Sequence, residues 1–466
     1  MQKPFYITAA IPYVNASPHI GHALEFVQVD VVARFHRQLG EKVIALTGSD
    51  ENALKNVQAA EKAKKPIQEF VDENAEKFRE LLDKLNTSFD VFQKSTNPNH
   101  IKSSQDLWLR CQKDIYKKTY QGLYCLGCEA FYTENELING ECQEHPGKKL
   151  ELVSEENYFF RLSKFQNQLI NLIRSKQIKI YPYFRKNEVL NFLKQPLQDI
   201  SISRSNQRAK NWGIPVPNDQ TQRMYVWFDA LNVYRSGVDD DIWPADLHVI
   251  GKGIIRFHAV YWPAFLLSAN LPLPKAILVH GYFTVNGQKM SKTIGNIIDP
   301  FTVIEKYGAD ALRYYLLKEI SPFADGDFSF ERLNEIYNAD LANELGNLVS
   351  RLTNLAEKDN LTIIEDKNNY KYNNLTIQQF NNFEFNVILE EIWKKIKALN
   401  KKIDEFAPWK KEPSKRKDFL IDVFSKLSQI AWELQPFIPN TAKNILNSTT
   451  GKIKKIAPLF PKLNNL

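Results

Sequence analysis

The sequence predicts an α/β protein: a parallel sheet of the nucleotide-binding kind, split by an insertion and followed by an α-helical domain. Three observations predict it. Phe5 to Ala10 is β-rich and runs through a turn into a segment with apolar residues at 20, 24, 27, 31, 35 and 39, which is helical spacing. The strand–helix–strand pattern returns between His248 and His280. Beyond about residue 331 the strand signal vanishes, and long periodic segments with few glycines remain.

In chain order, Pro12, Asn15 and Ser17 form the first turn, with Ser17 a good N-cap and Pro18 a good first helical residue. Gly40 closes the helix and Lys42 to Thr47 reads as the second strand, completing a βαβ unit. The insertion has its core near 114 to 197 and contains a cysteine cluster, the run Asn157-Tyr158-Phe159-Phe160 and an amphipathic helix around 163 to 175. The sheet resumes with a strand at His248 to Ile250, a helix from Ile254 to about Asn270 bent at Pro263, and a strand at Ala276 to His280. Asn-rich residues near 366 to 374 read as a loop between helices of the last domain.

Composition excludes several classes. The 466 residues, 43% of them hydrophobic, suit about three domains at ~150 residues each. The longest apolar stretch, Ala259 to Leu267, contains Pro263 and is far shorter than the ~20 residues that span a bilayer, so no membrane association is expected. Met1-Gln2-Lys3-Pro4 leads straight into the first strand, which leaves no room for a leader and predicts a cytoplasmic protein. Four cysteines are too few for a secreted disulfide framework. The net charge of +7 is concentrated: Lys394 to Lys417 holds ten basic and three acidic residues, so the remainder sums to zero.

Four constellations carry chemistry. Pro18-His19-Ile20-Gly21-His22 places two imidazoles on one face at a helix N-terminus, where free N–H groups attract anions. Gly21 lets a flat ring approach the backbone, an arrangement that suits ATP. Asn286-Gly287-Gln288-Lys289-Met290-Ser291-Lys292-Thr293-Ile294-Gly295-Asn296 is a glycine-flanked lysine loop able to close over polyphosphate. Cys125-x2-Cys128-x13-Cys142-x2-His145 has the spacing of a tetrahedral knuckle for one structural zinc, with no open position for catalysis. Asn347 and Arg351 share a helical face, and Trp409 beside the basic run could stack on a splayed base.

The His-Ile-Gly-His and Lys-Met-Ser-Lys-Thr motifs at 19 to 22 and 289 to 293 resemble the paired signatures of the class I aminoacyl-tRNA synthetases. The resemblance extends over essentially the whole chain to the methionyl-tRNA synthetase family, through Ala9-Ala10-Ile11-Pro12-Tyr13-Val14-Asn15, Tyr225-Val226-Trp227-Phe228-Asp229-Ala230, Ile250-Gly251-Lys252 and Arg256-Phe257-His258. It implies a class I synthetase Rossmann-type nucleotide fold split by a zinc-knuckle insertion and followed by an α-helical bundle domain. The implied activity is methionine–tRNA ligation through methionyl-adenylate, from L-methionine, ATP and Mg²⁺, on initiator and elongator tRNA(Met). His19, His22, Lys289 and Lys292 would be catalytic, and Gly21 and Ser291 would join them in binding ATP. Ile11, Tyr13, Trp227, Ala230, Leu231, Tyr234, Ile254, His258 and Trp262 would line the methionine pocket, and Asp50 would take the ammonium. An aromatic box with one carboxylate is what a thioether amino acid calls for. Asn347, Arg351 and Trp409 would read the anticodon.

The chain departs from the family in two places, with Gly253 at a usual Asp and Asp50-Glu51-Asn52-Ala53 for the usual Asp-Glu-His-Gly. The implied domains are 1–113 and 198–295 for the two Rossmann halves, 114–197 for the connective insertion, 296–335 for a linking region that contacts the tRNA stem, and 336–466 for the anticodon-binding domain. A monomer is expected.

Overall fold

The computed structural model describes residues 3–128, 130–132, 137–145, 147–290, 295–364 and 370–463. They form two compact units, one taking residues up to 18, 40–80 and 88–280, the other 19–39, 81–87 and 281 onward.

The first unit is built on a six-stranded sheet in which every pairing is parallel. Its first strands are β1 (Phe5–Ala9), β2 (Val43–Ser49) and β3 (Val91–Lys94). A long antiparallel pair in the insertion follows, β4 (Ile115–Cys125) and β5 (Glu151–Phe160). The sheet is completed by β6 (Lys179–Tyr181), β7 (Leu247–Gly251) and β8 (Ala276–His280), giving the order β3-β2-β1-β7-β8-β6. The strands are covered on both faces, which is why they read as continuous apolar runs: Leu46, Val249, Ile250, Ile277, Leu278 and Val279 are fully buried. Each such side chain contributes about 1.5–3 kcal/mol. The edge strand β6 comes from the segment read as insertion.

Chain order reverses beside β1, since β2 and β3 lie on one side and β7 and β8 on the other. The carboxyl ends of β1 and β7 therefore flank the crevice in which open α/β sheets bind ligands. The segment after β7 is a 3₁₀ turn (Lys252–Ile254), then a π-helix (Phe257–Tyr261) that passes into helix Trp262–Ala269. The irregularity predicted at Pro263 thus lies just before it, as a wide turn carrying His258.

In the second unit, α1 (Ile20–Gln38) begins two residues later than predicted. His19, not Ser17, is the cap, because its backbone is extended (φ −131°, ψ 173°) and its side chain accepts from the Gly21 N–H while the His22 side chain accepts from the His19 N–H. Pro18 precedes the cap instead of opening the helix. Among the described residues the C-terminal part is helical, as predicted, except for a two-residue pairing of Thr362–Ile363 with Gly451–Lys452. Residues 365–369 of the Asn-rich stretch fall outside the described residues; 370–373 are non-helical, as predicted, and Asn373 ends the loop by capping helix Asn374–Asn381.

One polar node holds this unit together. Asp30, on α1, and Arg313 are both fully buried and lie 2.7 Å apart. The guanidinium also donates to the carbonyls of Phe437 (2.8 Å), Pro436 (2.8 Å) and Leu85 (3.3 Å).

Candidate functional site

Ile11 and Tyr13 follow β1, Asp50 follows β2, and Ile254, His258 and Trp262 follow β7, so the fold delivers them to the carboxyl ends of strands at the reversal point. Tyr13 and Asp50 are joined by a backbone bridge, and the Asp50 N–H donates to the Pro12 carbonyl (2.8 Å). Asn56 donates from its side chain to the Asp50 carbonyl (2.9 Å). Trp227, Ala230, Leu231, Tyr234 and Trp262 belong to the same core, and Ile11, Tyr13 and Ile254 pack against it. The Trp227 ring meets the edges of Tyr13 (6.3 Å) and His258 (6.2 Å). The structure therefore brings Tyr13, Trp227, Tyr234 and His258 into one chain of contacts, with Asp50 bridged to Tyr13, and puts the other predicted residues in or against the same core.

Hydrogen bonding fixes the proton positions. His258 Nδ1 lies 2.9 Å from the Ile254 carbonyl, which only accepts, so Nδ1 carries the proton. Nε2 must then accept from the Tyr234 hydroxyl at 2.7 Å. Burial pushes the His258 pKa down to about 4, so this pair is uncharged at neutral pH. Asp50 is thus the charge offered by the predicted lining, and Trp227 Nε1 and Trp262 Nε1 are buried donors without a partner among the described residues. A polar group of a ligand or a water beside them would satisfy them.

Sequence reasoning assigned no role to three residues here. Phe257 stacks on Trp227 at 3.7 Å with planes 2° apart, although its neighbour His258 was singled out. Asn52 donates to the buried Asp229 carboxylate (2.7 Å) and to the Ser95 carbonyl (3.2 Å), tying down the loop after β2. Lys55 lies with its ammonium 3.3 Å from the centre of the Tyr13 ring. Arg204 lies over the rings of Tyr124 and Tyr225, 5.7 Å from each.

In the second unit, the His19 and His22 rings stack with centroids 3.8 Å apart. Each Nδ1 accepts a backbone N–H at 3.1 Å, which leaves the proton of each ring on Nε2 and makes the pair a double donor. A Cβ on Gly21 would stand 3.0 Å from the His19 ring and 3.7 Å from Met290. The Ile20 N–H donates to the Ile298 carbonyl (3.1 Å), so both flanks of the lysine loop reach the first turn of α1. Lys289 is placed by its backbone in the short strand Gln288–Lys289, and Ser291 and Lys292 lie outside the described residues.

Cys125, Cys128, Cys142 and His145 converge with all four ligand atoms within 4.8 Å of one another. Cys128 Sγ is 3.4 Å from Cys142 Sγ and 3.2 Å from His145 Nδ1. A Cβ on Gly127 would stand 2.5 Å from the imidazole, so only glycine fits between the first two cysteines. Burial raises the Cys128 pKa; it acts on Cys142 too, but hydrogen bonds from Tyr132, Cys128 and the backbone outweigh it and leave that thiol lowered. Three thiols and one imidazole at this spacing are a donor set for tetrahedral zinc. Cys111 stands apart, buried against the Phe265 carbonyl with its pKa pushed up to about 12 by burial.

The helical part contains α2 (Asn347–Lys358), α3 (Phe385–Phe406) and α4 (Pro413–Leu434). Asn347 and Arg351 are exposed on α2, and Arg351 stands over the Trp409 ring at 5.1 Å while pairing with Asp404 (2.6 Å). Trp409 is 49% exposed and does not pack the bundle core. Within the basic run Arg416 turns inward: it is buried, ion-paired with Asp359 and donates to the carbonyls of Pro408 (3.2 Å) and Lys411 (2.7 Å), bracketing the Trp409 turn.

The family model for class I tRNA synthetases (M) matches residues 5–149 and 135–353. Methionine–tRNA ligases of Nostoc sp. and Rickettsia felis are 41% and 40% identical, covering 95% and 96% of this chain and 89% and 92% of their own length. The solved Mycobacterium tuberculosis methionyl-tRNA synthetase in complex with methionyl-adenylate is 35% identical, with a TM-score of 0.90 over 99% of this chain and 100% of that one. With this identity over nearly its whole length, the chain belongs to the methionyl-tRNA synthetase family of class I aminoacyl-tRNA synthetases.

Proposed function

We propose a division of the methionine–tRNA ligase reaction among the residues of this chain. Methionine is activated with ATP to methionyl-adenylate and then passed to the 3′ end of tRNA. The observation that supports the division is the side-chain cluster at the reversal point, in which Tyr13 and His258 meet Trp227, the Tyr234 hydroxyl is hydrogen-bonded to His258, and Asp50 is bridged to Tyr13 through the backbone. Asp50 takes the substrate ammonium. Ile11, Tyr13, Trp227, Ala230, Leu231, Ile254 and Trp262 surround the side chain, and the Tyr234 hydroxyl, which donates its hydrogen bond to His258, keeps lone pairs for the substrate.

The methionine carboxylate attacks the α-phosphate in line and pyrophosphate leaves. His19 and His22 donate from Nε2 to phosphate oxygens, Gly21 gives the nucleotide access to the helix backbone, and Lys289, Ser291 and Lys292 hold the leaving pyrophosphate. Mg²⁺ supplies further charge neutralisation, arriving with ATP. No residue forms a covalent bond to substrate.

Cys125, Cys128, Cys142 and His145 hold one structural zinc. Thiols that must stay reduced to ligate a metal fit the reducing cytoplasm, where the enzyme acts as a monomer on initiator and elongator tRNA(Met). Metal analysis is expected to find about one zinc per chain. Replacing Cys125 or Cys142 should remove it and replacing Cys111 should not; zinc retained after Cys125→Ala contradicts the assignment.

The two Rossmann halves are 1–113 and 198–295, the insertion is 114–197 and lends the edge strand β6 to the sheet, the stem-contact link is 296–335, and the anticodon-binding domain is 336–466. Asn347, Arg351 and Trp409 read the anticodon, and the exposed lysines near them follow phosphates. Trp409→Ala should leave tRNA-independent exchange intact and lower charging about 5- to 150-fold, the equivalent of one base stack of ~1–3 kcal/mol. Charging of normal against anticodon-altered tRNA(Met) by both enzymes tests this, with melting temperature as control. Unchanged discrimination after the substitution removes Trp409 from the site.

A further inference from the structure

The metal cluster and the amino-acid pocket share one side chain. Lys55 lies in the first turn of helix Leu54–Ala63, half-buried, and its ammonium reaches both sites. It donates to the Gly127 carbonyl at 3.2 Å, and it lies 3.3 Å from the centre of the Tyr13 ring. Gly127 stands between Cys125 and Cys128 with the His145 imidazole against its Cα, so the closure of the four ligands fixes where that carbonyl points. Tyr13 is bridged through the backbone to Asp50, the residue assigned above to the substrate amine.

We propose that Lys55 is a positioning residue that couples occupation of the Cys₃His site by zinc to binding of the amino-acid substrate at the Tyr13–Asp50 wall. A closed knuckle holds the Gly127 carbonyl, the carbonyl holds the ammonium, and the ammonium holds the Tyr13 ring by its attraction to the π face. With the ligands apart, Gly127 no longer anchors the lysine, and Tyr13 loses the contact that orders it. The inference rests on the assignment of Tyr13 and Asp50 to the methionine pocket and of the cluster to zinc. Nothing in the local sequence marks Lys55, because its partners lie at 13 and 127.

Coupling between two binding sites is reciprocal: if zinc tightens methionine binding by some factor, methionine tightens zinc binding by the same factor. The full-length protein is therefore titrated with zinc against a chromophoric chelator, with and without saturating L-methionine, as wild type, Lys55→Met and Lys55→Arg. Methionine should tighten zinc binding about 3- to 10-fold in the wild type and in Lys55→Arg, which keeps the cation, and not at all in Lys55→Met. In pyrophosphate exchange, Lys55→Met should raise the KM for methionine by the same factor, with kcat and the KM for ATP unchanged. Equal coupling in Lys55→Met and wild type, or no coupling in the wild type, overturns the proposal. Asp50→Asn with an unaltered methionine KM, or a wild-type protein that binds no zinc, overturns the underlying assignments and the coupling with them.

Discussion

Lys292→Ala is expected to slow methionine-dependent ATP–pyrophosphate exchange about 10²- to 10³-fold, the loss that follows removal of one donor aimed at transition-state charge. The lysine stands in the glycine-flanked loop whose two flanks, at Met290 and Ile298, reach the first turn of α1. That turn presents the paired Nε2–H groups of His19 and His22, so the loop is anchored where donors already converge. Charge on the pyrophosphate leaving group grows as the P–O bond breaks, and in the proposed division of roles the lysine would act mainly on that growing charge. The KM for methionine should accordingly stay within about twofold. A variant that keeps its rate and only binds methionine more weakly assigns the loop to the wrong step.

Arg313→Met is expected to cost about 3–5 kcal/mol of stability, because it leaves the Asp30 carboxylate buried with its principal partner gone. Asp30 retains Arg34 (2.7 Å), whose side chain is partly exposed and cannot satisfy the carbonyls of Pro436, Phe437 and Leu85 that Arg313 also serves. Urea unfolding followed by circular dichroism should show the helix-rich unit melting at lower denaturant. An unchanged transition would mean that the node contributes nothing net. Asp30→Asn should cost less, since the guanidinium keeps its three carbonyls.

The parallel sheet is legible in the sequence because its strands are short apolar runs, with Phe5 to Ala10 and Ala276 to His280 as clear instances. The knuckle is legible because its four ligands sit in two closely spaced pairs. The start of α1 is less so: Ser17 and Pro18 are good capping types, but His19 and His22 supply a reciprocal cap that propensity for Ser does not anticipate. Asp30 carried a usable signal, a lone carboxylate in the apolar run Phe26 to Ala33, whereas its partner at 313 is too distant in sequence to be inferred. Arg416 shows the converse limit. It looks like one more cation in a basic run, and only the helical packing reveals that it faces inward to Asp359. Pairwise contacts such as Phe257 on Trp227 also depend on a π-helical turn that no local pattern announces.

The central claim is that the pocket at the reversal point selects methionine and activates it with ATP. Pyrophosphate exchange with each of the twenty amino acids in turn tests this most directly, since it needs no tRNA. Methionine alone should support exchange. Leucine and isoleucine lack the thioether sulfur that the Tyr234 hydroxyl and the aromatic box would meet, and should stay near background. Equal exchange with leucine or isoleucine would contradict the account.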